Sequence, residues 1–217
     1  MSPKDARKLM VRRLVESGVI KSSSVAHAME LVERHLFLPS NMAEHAYLDT
    51  PLQIGEGQTI SAPHMVAMMA EGLELKAGLR VLEVGGGSGY HAAVMAELVK
   101  PDGRVYSMER IPSLAESARQ NLKAAGYESL VEVIVGDGTR GLPSQAPFDR
   151  ISIAAAAPYV PEPLKQQLAQ NGKMLIPVGG RYYQELTLVV RRGEKFIEKN
   201  LGGCVFVPLI GEFGYRD

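Results

Sequence analysis

The sequence predicts a doubly wound α/β domain, an open parallel sheet with helices on both faces. Two observations carry that reading. Short apolar runs alternate with helical patterns from residue 79 to residue 177, and such alternation builds βαβ units with right-handed crossovers. The first apolar run ends in clustered glycines, as a strand does when its loop must approach a ligand. A third observation adds an appendage: two β-rich runs between residues 185 and 207 flank Arg192-Gly193-Glu194, which reads as a hairpin added to the sheet edge.

The elements follow in order. Leu9, Met10, Leu14 and Val15 repeat at helical spacing and Gly18 stops the run. Ser22, Ser23 and Ser24 offer caps for a second helix over about 25–35. Residues 39–63 are too polar and too rich in Gly and Pro for regular structure, and a loop of that length is often functional. Pro63 begins a further helix, with Thr59 or Ser61 as its cap. Then come a buried strand at 80–84, a helix at 90–100 and a strand at 104–108. A helix at 114–125 is closed by Gly126, and strands follow at 131–135 and 151–154. A helix at 164–170 and a strand at 173–177 complete the alternation.

Composition narrows the function. The 217 residues are 46% hydrophobic and 22% charged, the balance of a soluble globular domain. Lys+Arg and Asp+Glu are both 24, so no basic excess points to nucleic acid, and Arg12-Arg13 and Arg191-Arg192 read as solvated surface. The single cysteine, Cys204, lies in an apolar run and excludes an internal disulfide or a cysteine-rich metal site. The charged start, MSPKDARKLMVRRL, has no apolar signal core, and no stretch reaches the ~18 apolar residues of a membrane span. A cytoplasmic protein without a metal is expected.

The chemistry concentrates at strand ends. Glu83-Val84-Gly85-Gly86-Gly87-Ser88-Gly89 joins the first strand to its helix, where free N–H groups and bare backbone meet ligands in this architecture. A dinucleotide fingerprint, G-x-G-x-x-G, requires glycine at 90, but the residue there is Tyr90. The observed E/D-x-G-x-G-x-G form is the one shared by methyltransferases that use S-adenosylmethionine. Glu109 ends the second strand, where a carboxylate accepts from both ribose hydroxyls. Asp137, in Gly136-Asp137-Gly138, ends the third strand, in place for an adenine amino group.

With these residues assembled, the chain resembles the protein-L-isoaspartate (D-aspartate) O-methyltransferases nearly end to end. The most specific blocks are Pro51-Leu52-Gln53-Ile54 and Gly57-Gln58-Thr59-Ile60-Ser61-Ala62-Pro63-His64-Met65. Ala154-Ala155-Ala156-Ala157-Pro158, Ile176-Pro177-Val178-Gly179 and Val207-Pro208-Leu209 also resemble family blocks. One departure is Gly86, where Thr or Ser is more usual.

The resemblance implies a Rossmann-like methyltransferase core with a rearranged C-terminal strand order. It divides one domain into N-terminal helices and substrate loop (1–62), cofactor-binding core (63–180) and a β-rich end (181–217). It implies S-adenosyl-L-methionine as cofactor, held by Gln58, Thr59, Ile60, Glu83, Gly85, Gly87, Ser88, Glu109, Arg110, Asp137 and Gly138. The implied acceptor is the α-carboxylate of isoaspartyl residues in damaged proteins, met by Thr59, Ser61, His64, Val207, Leu209 and Ile210. Ser61 falls on the family's active-site serine and would orient the carboxylate, with the N–H groups and dipole of its helix start assisting. A carboxylate needs no general base, since its pKa near 3.5 leaves it ionised. Catalysis is then alignment in a site that excludes water. The ester collapses to a succinimide, whose hydrolysis returns some normal aspartate. The protein is expected to act as a monomer.

Three rivals are weighed. Amino-group methyltransferases carry (N/D)-P-P-(Y/F) after the fourth strand, where this chain has Ala155-Ala156-Ala157-Pro158. A non-enzymatic reader of isoaspartyl peptides has no use for Glu83, Glu109 and Asp137. A dehydrogenase is disfavoured by the broken fingerprint.

Overall fold

The computed structural model describes residues 1–216. Helices α1 (Pro3–Glu16) and α2 (Ser23–Leu31) begin where Ser2 and Ser22 accept from Asp5 N and Val25 N. Gly18, at φ 75°, turns the chain between them. α2 stops at Leu31, short of the expected 35, because the next residues are drawn into the core as a 3₁₀ turn (Arg34–Phe37). There the fully buried Arg34 donates through Nε to Ala46 O at 2.8 Å and lies 4.9 Å from the centroid of the Tyr90 ring.

The 39–63 stretch is more ordered than its composition suggests. It holds a 3₁₀ turn (Ser40–His45) and an antiparallel hairpin, β1 (Leu52–Gly55) with β2 (Gln58–Ile60). Gly55, Glu56 and Gly57 all take positive φ, and that run of left-handed residues is what closes so tight a turn. α3 (Pro63–Leu73) then starts at its proline as expected.

The core alternates β3 (Arg80–Val84), α4 (Tyr90–Val99), β4 (Arg104–Glu109), α5 (Pro112–Ala124), β5 (Val131–Val135), β6 (Phe148–Ile153), α6 (Glu162–Gln166) and β7 (Leu168–Gly179). β8 (Gln184–Arg192) and β9 (Lys195–Cys204) form the expected hairpin. The seven-stranded sheet runs β5-β4-β3-β6-β7-β8-β9, parallel as far as β7 and antiparallel beyond it.

Helices do not cover the two faces equally. Val81, Val105 and Val131 share one core with residues of α1 to α5. Leu82, Val84, Tyr106 and Met108 point the other way, into a smaller core to which α6 contributes Leu164. α4 is apolar nearly all round because it is sandwiched between the sheet and the N-terminal helices. α6 is five residues long, not the seven expected over 164–170, and β7 starts at 168 instead of 173. The buried Gln167 explains this. Its side chain accepts from Leu142 N (2.7 Å) and donates to Arg140 O (2.8 Å), while its backbone O accepts from Phe148 N, which turns the chain into the sheet.

Candidate active site

The order of strands reverses between β3 and β6, the place where open α/β sheets bind ligands. Register brings the strand ends level: Val84 pairs with Met108 and with Ile153, and Glu109 pairs with Val135. The loops that follow β3, β4, β5 and β6 therefore leave the sheet together. Gly85, Gly87 and Gly89 lie at φ 88°, 52° and 88°, a conformation that side chains resist. Gly85 and Gly86 donate to Met108 O at 2.9 and 3.0 Å, which fixes the loop against β4.

Glu83 sits behind this loop and not in its mouth. It is fully buried and accepts from Ser107 Oγ at 2.5 Å. Burial pushes its carboxyl up to about 8, opposed by the Ser107 hydrogen bond and assisted by the charge of Glu109. His91 Nδ1 is 3.5 Å from Glu83 Oε1, but burial pulls His91 down to about 4. Both groups are therefore neutral near pH 7, and their contact is not an ion pair. Gly86 belongs to the same cluster: a Cβ on it would collide with Ser107 Oγ. The hydroxyl on β4 occupies the room that a Thr or Ser at 86 would use, which explains the departure noted in the sequence.

Glu109 faces the ligand side. Its Oε2 accepts from Gly87 N and its Oε1 from Ile111 N, both at 2.9 Å. Each oxygen keeps a lone pair for a further donor, the pattern that a vicinal diol matches. Asp137 differs from expectation. Its Oδ1 accepts from Thr139 N (2.9 Å) and Thr139 Oγ1 (2.6 Å), and its Oδ2 from Glu212 N (2.9 Å). The carboxylate is held by the chain itself through three hydrogen bonds, and it is Gly138 that lines the cavity.

Three cavities meet at Thr59 and Ala154. The first extends from Gly85 and Gly87 past Glu109 and Arg110 to Gly138, with Val84, Met108 and Ile111 as apolar walls and Gln58 and residues 207–210 closing it. A carboxylate, bare glycine backbone and an apolar slot suit a nucleoside joined to a polar chain. The second, about 460 Å³, is lined by Pro51, Ser61, His64 and Met65 on one side and residues 203–207 on the other. The third is a small chamber where Ile60, Ser61 and Ser88 meet Tyr90 and His91. Leu209 and Ile210, expected at the acceptor, line the first cavity and not the second; Val207 lines both.

The model of the protein-L-isoaspartate(D-aspartate) O-methyltransferase family matches residues 5–214. The chain belongs to this family. A protein-L-isoaspartate O-methyltransferase of Methanopyrus kandleri is 58% identical over 98% of this chain and 94% of its own. One of Hyperthermus butylicus is 56% identical over 99% and 92%. Among solved structures, a Plasmodium falciparum protein assigned as a protein-L-isoaspartate O-methyltransferase was crystallised with S-adenosyl-L-homocysteine. It superposes with a TM-score of 0.85 at 30% identity, covering 94% of this chain and 98% of that one.

In this methyltransferase Ser61 does not cap α3. The N-cap is Ala62, without a side-chain hydrogen bond. Asp49 takes the role from outside, its Oδ1 accepting from His64 N and lying 2.9 Å from both His64 N and Nδ1. Met65 and Val66 N–H both go to Ala62 O, so the helix start is not an open anion site, contrary to expectation. Ser61 Oγ bonds to no described residue and faces the second cavity and the chamber.

Sequence reasoning missed Asp49, which no motif marks and which lies 15 residues from its partner. It also missed Met108 and Ile111, which line the first cavity on either side of Glu109 and Arg110. Cys204 and Phe206 are buried and also line the second cavity. No helix among the described residues is long and apolar enough to cross a membrane, and no cluster of His, Cys, Asp or Glu there could hold a metal ion.

Proposed function

We propose that the chain transfers a methyl group from S-adenosyl-L-methionine to the α-carboxylate of L-isoaspartyl and D-aspartyl residues in damaged proteins. The first cavity is the donor site and the second the acceptor cleft. One observation carries the assignment: both share the wall formed by Thr59, Ala154 and Val207, and Ser61 stands on the acceptor side of it with a free hydroxyl. Bound in the donor site, S-adenosyl-L-methionine supplies an electrophilic methyl on a sulfonium.

The chain's own residues bind, orient and exclude water. Glu109 holds the diol and, through Gly87 N, fixes the glycine loop at the same time. Gln58, Thr59, Gly85, Gly87, Arg110 and Gly138 complete the donor wall; Ile60 and Ser88 close it from the chamber. Glu83 supports the loop from behind as a neutral acid. Ser61 Oγ–H donates to the acceptor carboxylate and aims one oxygen at the donor. Thr59, His64 and Val207 frame the peptide, while Leu209 and Ile210 contribute through the donor wall. The acceptor is ionised at neutral pH, so no side chain has to remove a proton. A monomer is the working unit in this reading. Balanced charge gives nucleic acid no footprint, and the unpaired Cys204 suits the reducing cytoplasm.

Incubation with methyl-labelled S-adenosyl-L-methionine and matched isoaspartyl and aspartyl peptides tests the reading. Base-labile ester on the isoaspartyl peptide alone is expected; equal labelling of both, or base-stable label, overturns it.

A further inference from the structure

We infer that Asp137 is a positioning residue: it clasps the C-terminal segment so that residues 207–210 stand as a wall of the donor site, with Val207 shared by the acceptor cleft, and it does not read the adenine. The inference rests on the assignment of those two cavities above.

The segment after β9 is tied at several places, two of which bear on residues 207–210. At its start it runs beside the end of β6, with Ala156 N donating to Val207 O (2.8 Å) and Leu209 N donating to Ala156 O (2.7 Å). Beyond Ile210 it folds back on itself, Tyr215 N donating to Leu209 O and Gly211 N to Tyr215 O. That fold is then fastened to the loop after β5. Glu212 N donates to Asp137 Oδ2, and Phe213 N donates to Thr139 Oγ1, which itself donates to Asp137 Oδ1. The exposed Arg140 and Glu212 pair over the outside.

The approach is so close that glycine is required. A Cβ on Gly211 would strike the Asp137 carboxylate, and one on Gly214 would strike Leu209 O. Thr139 is fully buried by the contact. Oδ1 already accepts two hydrogen bonds, which fills its lone pairs, and Oδ2 faces the tail with Arg140 Nε 4.0 Å away. Burial would raise this carboxyl, but the hydrogen bonds from Glu212 and Thr139 hold it below the usual range, so the clasp is anionic at neutral pH. An anionic acceptor facing backbone N–H groups makes strong bonds. A further tie lies beyond the wall, where Tyr215 Oη donates to Gly179 O. Val207 touches the peptide cleft while Leu209 and Ile210 touch the donor site, so loosening the clasp reaches both substrates at once.

Asp137→Asn and Gly211→Ala separate this from nucleobase recognition. Asparagine can keep Oδ1 toward Thr139 but places an amide NH₂ against Glu212 N–H; alanine at 211 pushes the tail off from a position that lines neither cavity. Three measurements on the full chain decide: amide exchange at Glu212 and Phe213, the KM for an isoaspartyl peptide, and dissociation constants for S-adenosylhomocysteine and its hypoxanthine analogue. Both variants are expected to lose protection at the two amides, to raise the peptide KM by about tenfold, and to weaken both nucleosides alike. The preference for adenine over hypoxanthine then stays that of the parent. A collapse of that preference in Asp137→Asn with the peptide KM unmoved overturns the inference and makes Asp137 an adenine ligand. Lower melting temperature with every constant unchanged reduces it to a structural role and equally overturns it. Failure of the parent protein to bind S-adenosylhomocysteine at all refutes the donor site itself, a distinct outcome.

Discussion

Replacing Ser61 by alanine separates chemistry from stability. The side chain is partly buried and makes no hydrogen bond that folding depends on, since α3 is capped by Asp49 and not by Ser61. Removing one hydroxyl there should change stability by no more than about 0.5 kcal/mol. Its proposed bond in function is to a carboxylate, worth about 1.5–3 kcal/mol, so kcat/KM should fall about 10- to 150-fold. Asp49→Ala is the mirror image. It strips the acceptor from His64 N, costs about 1 kcal/mol as a lost cap, and lowers Tm by about 2–4 °C for a domain of this size. Calorimetric melting and single-turnover methylation of an isoaspartyl peptide give both numbers on the same preparations. A Ser61→Ala protein that melts early yet methylates at the parent rate refutes the argument, because the hydroxyl would then belong to the fold alone.

Other consequences are as specific. Glu109→Ala removes the diol acceptor together with the bond to Gly87 N, and titration calorimetry should show S-adenosylmethionine binding weakened by about 1.5–3 kcal/mol. Glu83, with its folded pKa raised to about 8 from 4.5, binds its proton more tightly folded than unfolded, so it lowers stability progressively as pH rises through that window. His91, depressed to about 4 from 6.5, acts in the opposite sense below 6.5, so the clean interval is pH 6.5–8. There Tm of the parent should decline relative to Glu83→Gln, and parallel curves would count against a buried neutral acid. Gly86→Ser should destabilise by about 1–3 kcal/mol through its collision with Ser107 Oγ. Adding Ser107→Ala should return most of that loss, as denaturant midpoints would reveal.

Local periodicity was a sound guide wherever packing agreed with it. The strands over 80–84 and 131–135 and the hairpin about Gly193 stand where the apolar runs put them. α6 was misread because Gln167 is a good helix former whose buried amide answers to Leu142 and Arg140, partners 25 and 27 residues away. The β1–β2 hairpin was missed for a related reason: its strands are only four and three residues long, too short for alternation to register, and glycine content looked like disorder of pattern. At the site, glycine loop and Glu109 were legible because their backbone demands are local. The work of Asp49 and Asp137 was not, since each acts on a segment that only tertiary folding brings near, at separations of 15 and 75 residues.

The dimensions of the proposed acceptor cleft set a rule for which damage can be mended. A space of about 460 Å³ between Met65 and Val205 takes a few residues of thin, extended chain and has no room for packed structure. An altered aspartate held inside a stable helix or strand must first come loose from its own protein. Its rate of methylation is then scaled by the fraction of time that segment spends open, which falls tenfold for each ~1.4 kcal/mol of local opening free energy. Clients are therefore sorted by the mobility of the damaged stretch more than by the residues around it, and sites in frayed termini and loops are reached first.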